Sequence, residues 1–249
     1  MSNFVLHNTL GRPLVIAHRG ASRIRHENTL EAFEAAIDVG ADAIECDLRR
    51  TRDNVIVVHH NARVKRSYRR ISHLDQTEVL RYASKQEYVV PTLEETLRWC
   101  RGRIALDIEL KEPGYEREVI ETVKRLGSLD ATVFKSFHDE VVLAVKTAEP
   151  KATTGLLIGV VAPQSLSMRM RQPVSDRLDD CRADFVAPNW KLVTPAFMAR
   201  AKEKGRPVLV WTVNRKALAR RLVRLGVDGL IGNVPERLLD VVGPANTER

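Results

Sequence analysis

Long apolar runs are absent from this sequence of 249 residues. No stretch approaches the ~20 residues needed to cross a bilayer. Cysteine is scarce: Cys46, Cys100 and Cys181 stand far apart with no C-x-x-C pair. That excludes a disulfide framework or a cysteine zinc site and suits reduced thiols. Aromatic residues make up only 5% and hydrophobic residues 44%, a composition that excludes a disordered chain. No linker rich in proline, glycine or serine divides the sequence, and no segment is of low complexity. The opening MSNFVLHNTLGRP has no charged region leading into an apolar one, so no secretory signal is read there and a cytoplasmic protein is expected. G-x-S-x-G is missing, which removes a serine hydrolase. G-x-G-x-x-G is missing after the first apolar run, and HENTL carries Leu30 where H-E-x-x-H needs its second histidine.

What is present is positive charge. The formal net charge is +8 and the isoelectric point about 9.6. Two classes follow, a nucleic-acid binder or an enzyme with anionic substrates. RVKRSYRR and the arginine-rich 215–224 segment favour the first. Against it, Leu218, Leu222 and Leu225 share one face of that segment, as in an outer barrel helix, and no helix-turn-helix, RRM or zinc-finger pattern appears.

Short apolar runs recur: 14–17, 43–46, 104–110, 132–137, 153–160, 184–188, 207–213 and 228–232. Between most of them, apolar residues fall at i, i+3, i+4 and i+7. Alternating strands and helices of this number and length predict an α/β fold, a (β/α)8 TIM barrel, with a doubly wound sheet as the runner-up. The segment NTLEAFEAAIDVG reads as a helix with Asn28 as N-cap and Gly40 beyond its end.

One stretch breaks the alternation. AIECDLRR is followed by TRDN and then VIVVHH, with no room for a helix. A two-residue turn at Asp53-Asn54 would place Arg52 opposite Val55 and His60 opposite Asp47. Strand alternation would put Glu45 on that same face and send His59 to the other.

Barrel enzymes work at the C-terminal ends of their strands. There this sequence has His18 and Arg19, then Glu45 and Asp47, then Glu109 and Lys111, with Phe137, Trp190 and Trp211 as possible pocket walls. Three converging carboxylates are costly without a cation, and hard oxygen ligands suit Mg²⁺ or Ca²⁺, with Mn²⁺ next. The bland alternative pairs each acid with Arg49, Arg50 or Lys111. His18 and His60 suit acid–base work, or would serve as metal ligands in a mixed site. Arg19 and Lys111 would bind phosphate.

HRG (18–20), ENTLEAF (27–33), GADAIECDL (40–48), TRDNVIVVHHN (51–61), PTLEE (91–95), ALDIELK (105–111), VLVWTVN (208–214) and GVDGLIGNVPE (226–236) together resemble the glycerophosphodiester phosphodiesterase family, in its small cytoplasmic bacterial form. The resemblance spans nearly the whole chain. It implies one barrel domain over 1–249, with a short capping insertion near 61–90. It also implies metal-dependent hydrolysis of glycerophosphodiesters to glycerol 3-phosphate and an alcohol. By position, His18 and His60 resemble the acid–base pair, Arg19 and Lys111 the phosphate-binding residues, and Glu45, Asp47 and Glu109 the metal ligands. The sequence departs from the family pattern at Asn54, at Asn61 after His60, and at Gly232-Asn233. The first suits a turn, the second bears on the orientation of a histidine partner, and the third on the pocket floor or substrate preference. A lysophospholipase D-type substrate on the same barrel is the alternative enzyme, and a catalytically dead binding protein is a further one. The basic insertion favours small head groups over acyl chains, and Met168 and Met170 read as core or incidental contacts. The expected partner is a small-molecule substrate, with no nucleic acid and no membrane span.

Overall fold

The alternation of apolar runs and amphipathic stretches closes into a barrel in the computed structural model, which describes residues 10–64, 68–160 and 173–244. The strands are β1 (Leu14–His18), β2 (Ala43–Arg50), β3 (Ile56–Val58), β4 (Ala105–Leu110), β5 (Thr132–Ser136), β6 (Thr153–Ile158), β7 (Phe185–Pro188), β8 (Leu209–Val210) and β9 (Gly229–Gly232). All but β3 run parallel, in the order β7-β6-β5-β4-β2-β1-β9-β8. Parallel bridges from Val186 to Val208 and from Asn189 to Trp211 join β7 to β8 and close the ring. Each predicted apolar run coincides with or overlaps one barrel strand. Met168 and Met170 lie outside the described residues.

Helices α1 (Leu30–Asp38), α3 (Leu93–Cys100), α4 (Glu116–Leu126), α5 (Asp139–Ala148), α6 (Val174–Asp180), α7 (Pro195–Glu203), α8 (Lys216–Arg224) and α9 (Pro235–Val242) lie outside the strands; α2 (Gln76–Ser84) belongs to the insertion. The arginine-rich helix α8 buries Ala219 and Leu222, and Arg221 donates to the Val193 carbonyl. This is the outer barrel helix that its leucine spacing predicts.

Two local expectations are corrected. Thr29, not Asn28, caps α1: its side chain accepts from the Ala32 N–H. Asn28 instead adopts φ +58 and turns its buried side chain into the barrel. The hairpin register also differs by one residue. Asn54 takes φ +63 as the last residue of a three-residue loop. Thr51 and Val55 close that loop, with the Thr51 N–H donating to the Val55 carbonyl at 2.9 Å. A left-handed residue ending a three-residue turn sets this pairing. Leu48 therefore faces Val58 and Arg49 faces Val57. His59, not His60, bonds to the Asp47 carbonyl.

The insertion, basic in its sequence, also carries an apolar core. Val57, Val64, Ile71, Leu74, Val79, Ala83, Tyr88 and Val90 form a satellite core on the hairpin. A capping box between Asp75 and Glu78 starts α2. His26, after β1, stacks on Tyr88 at 3.8 Å and ties the insertion to the barrel rim.

Ile16, Ala43, Ala105, Val133, Leu157, Phe185, Ala187, Leu209 and Ile231 fill the barrel interior. Cys46 and Leu48 alternate to the outside and pack under the helices. The aromatic ring of Phe185 occupies the space beside Gly155, where a Cβ would collide with it. Gly155→Ala is expected to lower the unfolding free energy by about 1–3 kcal/mol. Phe185→Leu in the same chain should recover part of that loss, as urea denaturation of the single and double variants would measure.

Candidate active site

Strand register stacks the site in layers. Ile16, Ala43 and Ala105 lie level with one another. Two residues along, His18, Glu45 and Asp107 are level, and two further on Asp47 pairs with Glu109. The period-two alternation of a strand thus carries the interior from an apolar floor to a charged rim at the C-terminal ends.

Oxygens of Glu45, Asp47 and Glu109 lie within 4.8 Å of one another, and all three residues are buried. Lys111 Nζ sits 2.8 Å from Asp47 Oδ1 and 2.6 Å from Glu109 Oε1. Arg19 Nε is 3.2 Å from Asp47 Oδ2, and its other arm donates to Glu27 at 2.8 Å. The backbone N–H of Arg19 donates to Glu45 Oε2 at 3.1 Å. That N–H is aimed by a tight turn in which Arg19 has φ +59, a conformation costly for a side-chain-bearing residue. Gly20 follows at φ +78, where a Cβ would stand 2.6 Å from the Ala32 carbonyl oxygen. The HRG sequence is therefore a packed turn that presents His18 and Arg19 to the carboxylates.

Several site residues were missed in the sequence. Asn28 donates from Nδ2 to Asp47 Oδ2 at 2.8 Å. Below the cluster, Lys135 Nζ bonds Asp107 Oδ2 at 2.6 Å and lies 3.5 Å from Glu45. Both residues had a signal: Asp107 stands two positions before Glu109, and Lys135 interrupts an apolar strand. Asn28 reads from the sequence as a cap, and its bond to Asp47 leaves no local mark. Of the expected pairings, Lys111 does meet two of the acids, whereas Arg49 bonds Glu112 and Arg50 reaches toward Glu118.

His18 Nδ1 lies 2.6 Å from Asn233 Oδ1, and Asn233 is itself held by Asn214. With that oxygen as acceptor, Nδ1 donates and Nε2 is left facing Glu45, 3.9 Å away. His60 repeats the arrangement: its Nδ1 is 3.1 Å from Asn61 Oδ1. Burial lowers the pKa of both imidazoles below the ordinary histidine value, and a nearby cation, Arg19 for His18 and Lys111 for His60, adds to it. His59 is also buried, with Nδ1 against the Asn61 carbonyl. Phe137 and Trp211, just past the C-terminal ends of β5 and β8, meet edge to face at 5.5 Å and pack against the apolar barrel interior. Trp190 packs instead on the cluster between strands and outer helices.

Burial opposes ionisation of Asp47, but Lys111 and Arg19 outweigh it and hold its carboxyl below the usual range. Glu109 goes the other way. Burial pushes it up to about 8 despite Lys111, and Asp47 and Glu45 add to the rise. Among the described residues, Glu27, Glu45, Asp47, Asp107 and Glu109 surround only Arg19, Lys111 and Lys135. Even with Glu109 holding its proton, four carboxylates stand against three cations, and an all-oxygen donor set with surplus negative charge fits a hard divalent cation.

Glu109 therefore has a folded-state pKa above its unfolded value. Between about pH 4.5 and pH 8 the folded chain binds more protons at this site than the unfolded chain, so its stability falls as pH rises through that window. Glu109→Gln in EDTA is expected to become progressively more stable than the parent from pH 4.5 toward pH 8. Denaturant titrations of both proteins across that range check it, and a difference independent of pH would refute the assignment.

The sequence matches the profile of the glycerophosphoryl diester phosphodiesterase family over residues 18–237. A glycerophosphodiester phosphodiesterase of Caldanaerobacter subterraneus subsp. tengcongensis is 30% identical over 252 residues, covering 93% of this chain and 98% of that protein. An Oleispira antarctica phosphodiesterase, solved in complex with the product sn-glycerol-3-phosphate, has a TM-score of 0.80 at 23% identity, over 93% of this chain and 97% of that one. A glycerophosphodiester phosphodiesterase of Agrobacterium tumefaciens str. C58 gives a TM-score of 0.74 at 24% identity, over 92% and 100%. These two solved structures share the barrel fold. With a profile match over most of its length and a relative matched nearly end to end, the chain belongs to the glycerophosphoryl diester phosphodiesterase family.

Proposed function

We propose that this chain, as a single barrel domain, hydrolyses glycerophosphodiesters to glycerol 3-phosphate and an alcohol with the help of a divalent cation. Family membership supports the reaction, and the observation that carries the site assignment is the convergence of Glu45, Asp47 and Glu109, with His18 Nε2 3.9 Å from Glu45.

Glu45, Asp47 and Glu109 would hold the cation, Mg²⁺ or Ca²⁺ by the hardness of their oxygens, with Mn²⁺ also suited. When bound, it supplies Lewis-acid polarisation of the phosphoryl oxygen and lowers the pKa of a nearby hydroxyl. Arg19 and Lys111 add fixed positive charge for the phosphate oxygens. Lys111 bridges two of the proposed ligands, so its charge lies beside the cation and the phosphate together. Asn28 and Arg19 orient Asp47. His18 and His60 act as the proton acceptor and proton donor. Their Nδ1 atoms are committed to Asn233 and Asn61, which leaves Nε2 of each for the reacting groups. Phe137 and Trp211, packed edge to face just past the ends of β5 and β8, would line the pocket, with Trp190 tied to Trp211 through the backbone.

Among the described residues, no helix is long and apolar enough to cross a membrane. The three cysteines are free and buried, which supports a cytoplasmic setting.

Phosphorus NMR of the purified protein with glycerophosphoethanolamine tests the proposal. With Mg²⁺ or Ca²⁺, a glycerol 3-phosphate signal is expected, and EDTA should abolish it. His18→Ala and His60→Ala should each slow the reaction by at least about 100-fold. Turnover of a lysophospholipid in place of glycerophosphoethanolamine would reassign the substrate. Full activity in EDTA, or in both histidine variants, would overturn the assignments.

A further inference from the structure

Arg49 takes part in none of the chemistry above, yet its side chain is only 13% exposed. It extends from β2, two residues past Asp47, toward the loop that carries His60. Its Nε and one terminal nitrogen both donate to the backbone carbonyl of His60, at 2.9 and 2.8 Å. Its other terminal nitrogen bonds the Glu112 carboxylate, next to Lys111. One guanidinium thus joins the strand of two acids, the loop of His60 and the loop of Lys111.

This clamp answers a need that the hairpin creates. Ladder pairing ends where the His59 N–H meets the Asp47 carbonyl. His60 lies beyond that pairing, and among the described residues its side chain hydrogen-bonds the neighbouring Asn61 at Nδ1. A loop residue without ladder bonds is free to drift, and a misplacement of about 1 Å at a reacting group costs on the order of 100-fold in rate. The planar fork of arginine suits a two-donor hold on one oxygen. Lysine, with a flexible stem and a point charge, does not reproduce it.

We propose that Arg49 is a positioning residue for His60, fixing the imidazole over the carboxylate cluster through its backbone carbonyl. The inference rests on the reading of His60 as a proton-transfer group. Arg49 acts through His60 and touches neither substrate nor cation, so its loss should appear in kcat alone.

The test uses Arg49→Met and Arg49→Lys in the full chain, with His60→Ala as the control. Steady-state hydrolysis of glycerophosphoethanolamine, the Mg²⁺ concentration at half activity and thermal melting are measured for each. Arg49→Met is expected to lose kcat by about 10- to 100-fold, and Arg49→Lys, with one donor kept, by about 2- to 10-fold. KM and the Mg²⁺ midpoint should stay within twofold of the parent. A parent-like kcat in Arg49→Lys or Arg49→Met, or a loss that appears in KM or the Mg²⁺ midpoint, would overturn the inference. If Arg49→Met melts too low to assay, the kcat of Arg49→Lys decides alone. A parent-like kcat in His60→Ala would instead remove the reading beneath it.

Discussion

Three carboxylates crowded onto neighbouring strand ends repel one another, and the interior of this barrel is arranged around that repulsion. Burial raises the cost of each charge, because little water reaches Glu45, Asp47 or Glu109. Lys111, Arg19 and Lys135 offset part of it, and a hydrogen bond from Asn28 secures Asp47. What remains is a site with excess negative charge and oxygen ligands. The same imbalance that would destabilise the empty cluster is what attracts a divalent cation.

Precision at such a site depends on the elements that hold its loops. β1 ends in a packed turn whose glycine abuts α1. The hairpin β2–β3 leaves the barrel and returns, and the satellite core beneath the insertion supports it. Tyr115 donates to the Leu48 carbonyl and accepts from the Lys111 N–H, so the loop after β4 is tied to β2. Arg49 makes the second tie, to the loop of His60. These cross-links explain how residues carried on loops attain a fixed geometry.

The fold was largely legible because strand and helix periods leave local marks. All the predicted apolar runs became barrel strands, and the outer helix of 214–226 was marked by its leucine spacing. The hairpin register was not legible, since Asn54 suits both a two-residue turn and a three-residue one. Only the pairing of Thr51 with Val55 selects between them. Asn28 was misread for a similar reason: asparagine before a helix usually caps it, but here Thr29 does so and Asn28 is drawn inward by Asp47.

The sequence by itself determined which chemical groups reach the barrel rim. Alternation along β2 and β4 places Glu45, Asp47 and Glu109 on the inner face, and the strand ends place His18, Arg19 and Lys111 beside them. Tertiary structure alone decided which groups these residues would meet. Lys135 under Glu45 and Asn233 on His18 are contacts between distant parts of the chain, the latter across 215 positions, and Arg49 finds the His60 carbonyl only because the hairpin folds back. Local pattern follows from backbone geometry within a few residues, whereas the partner of a buried polar group is set by whatever donor or acceptor the closed barrel brings within about 3 Å.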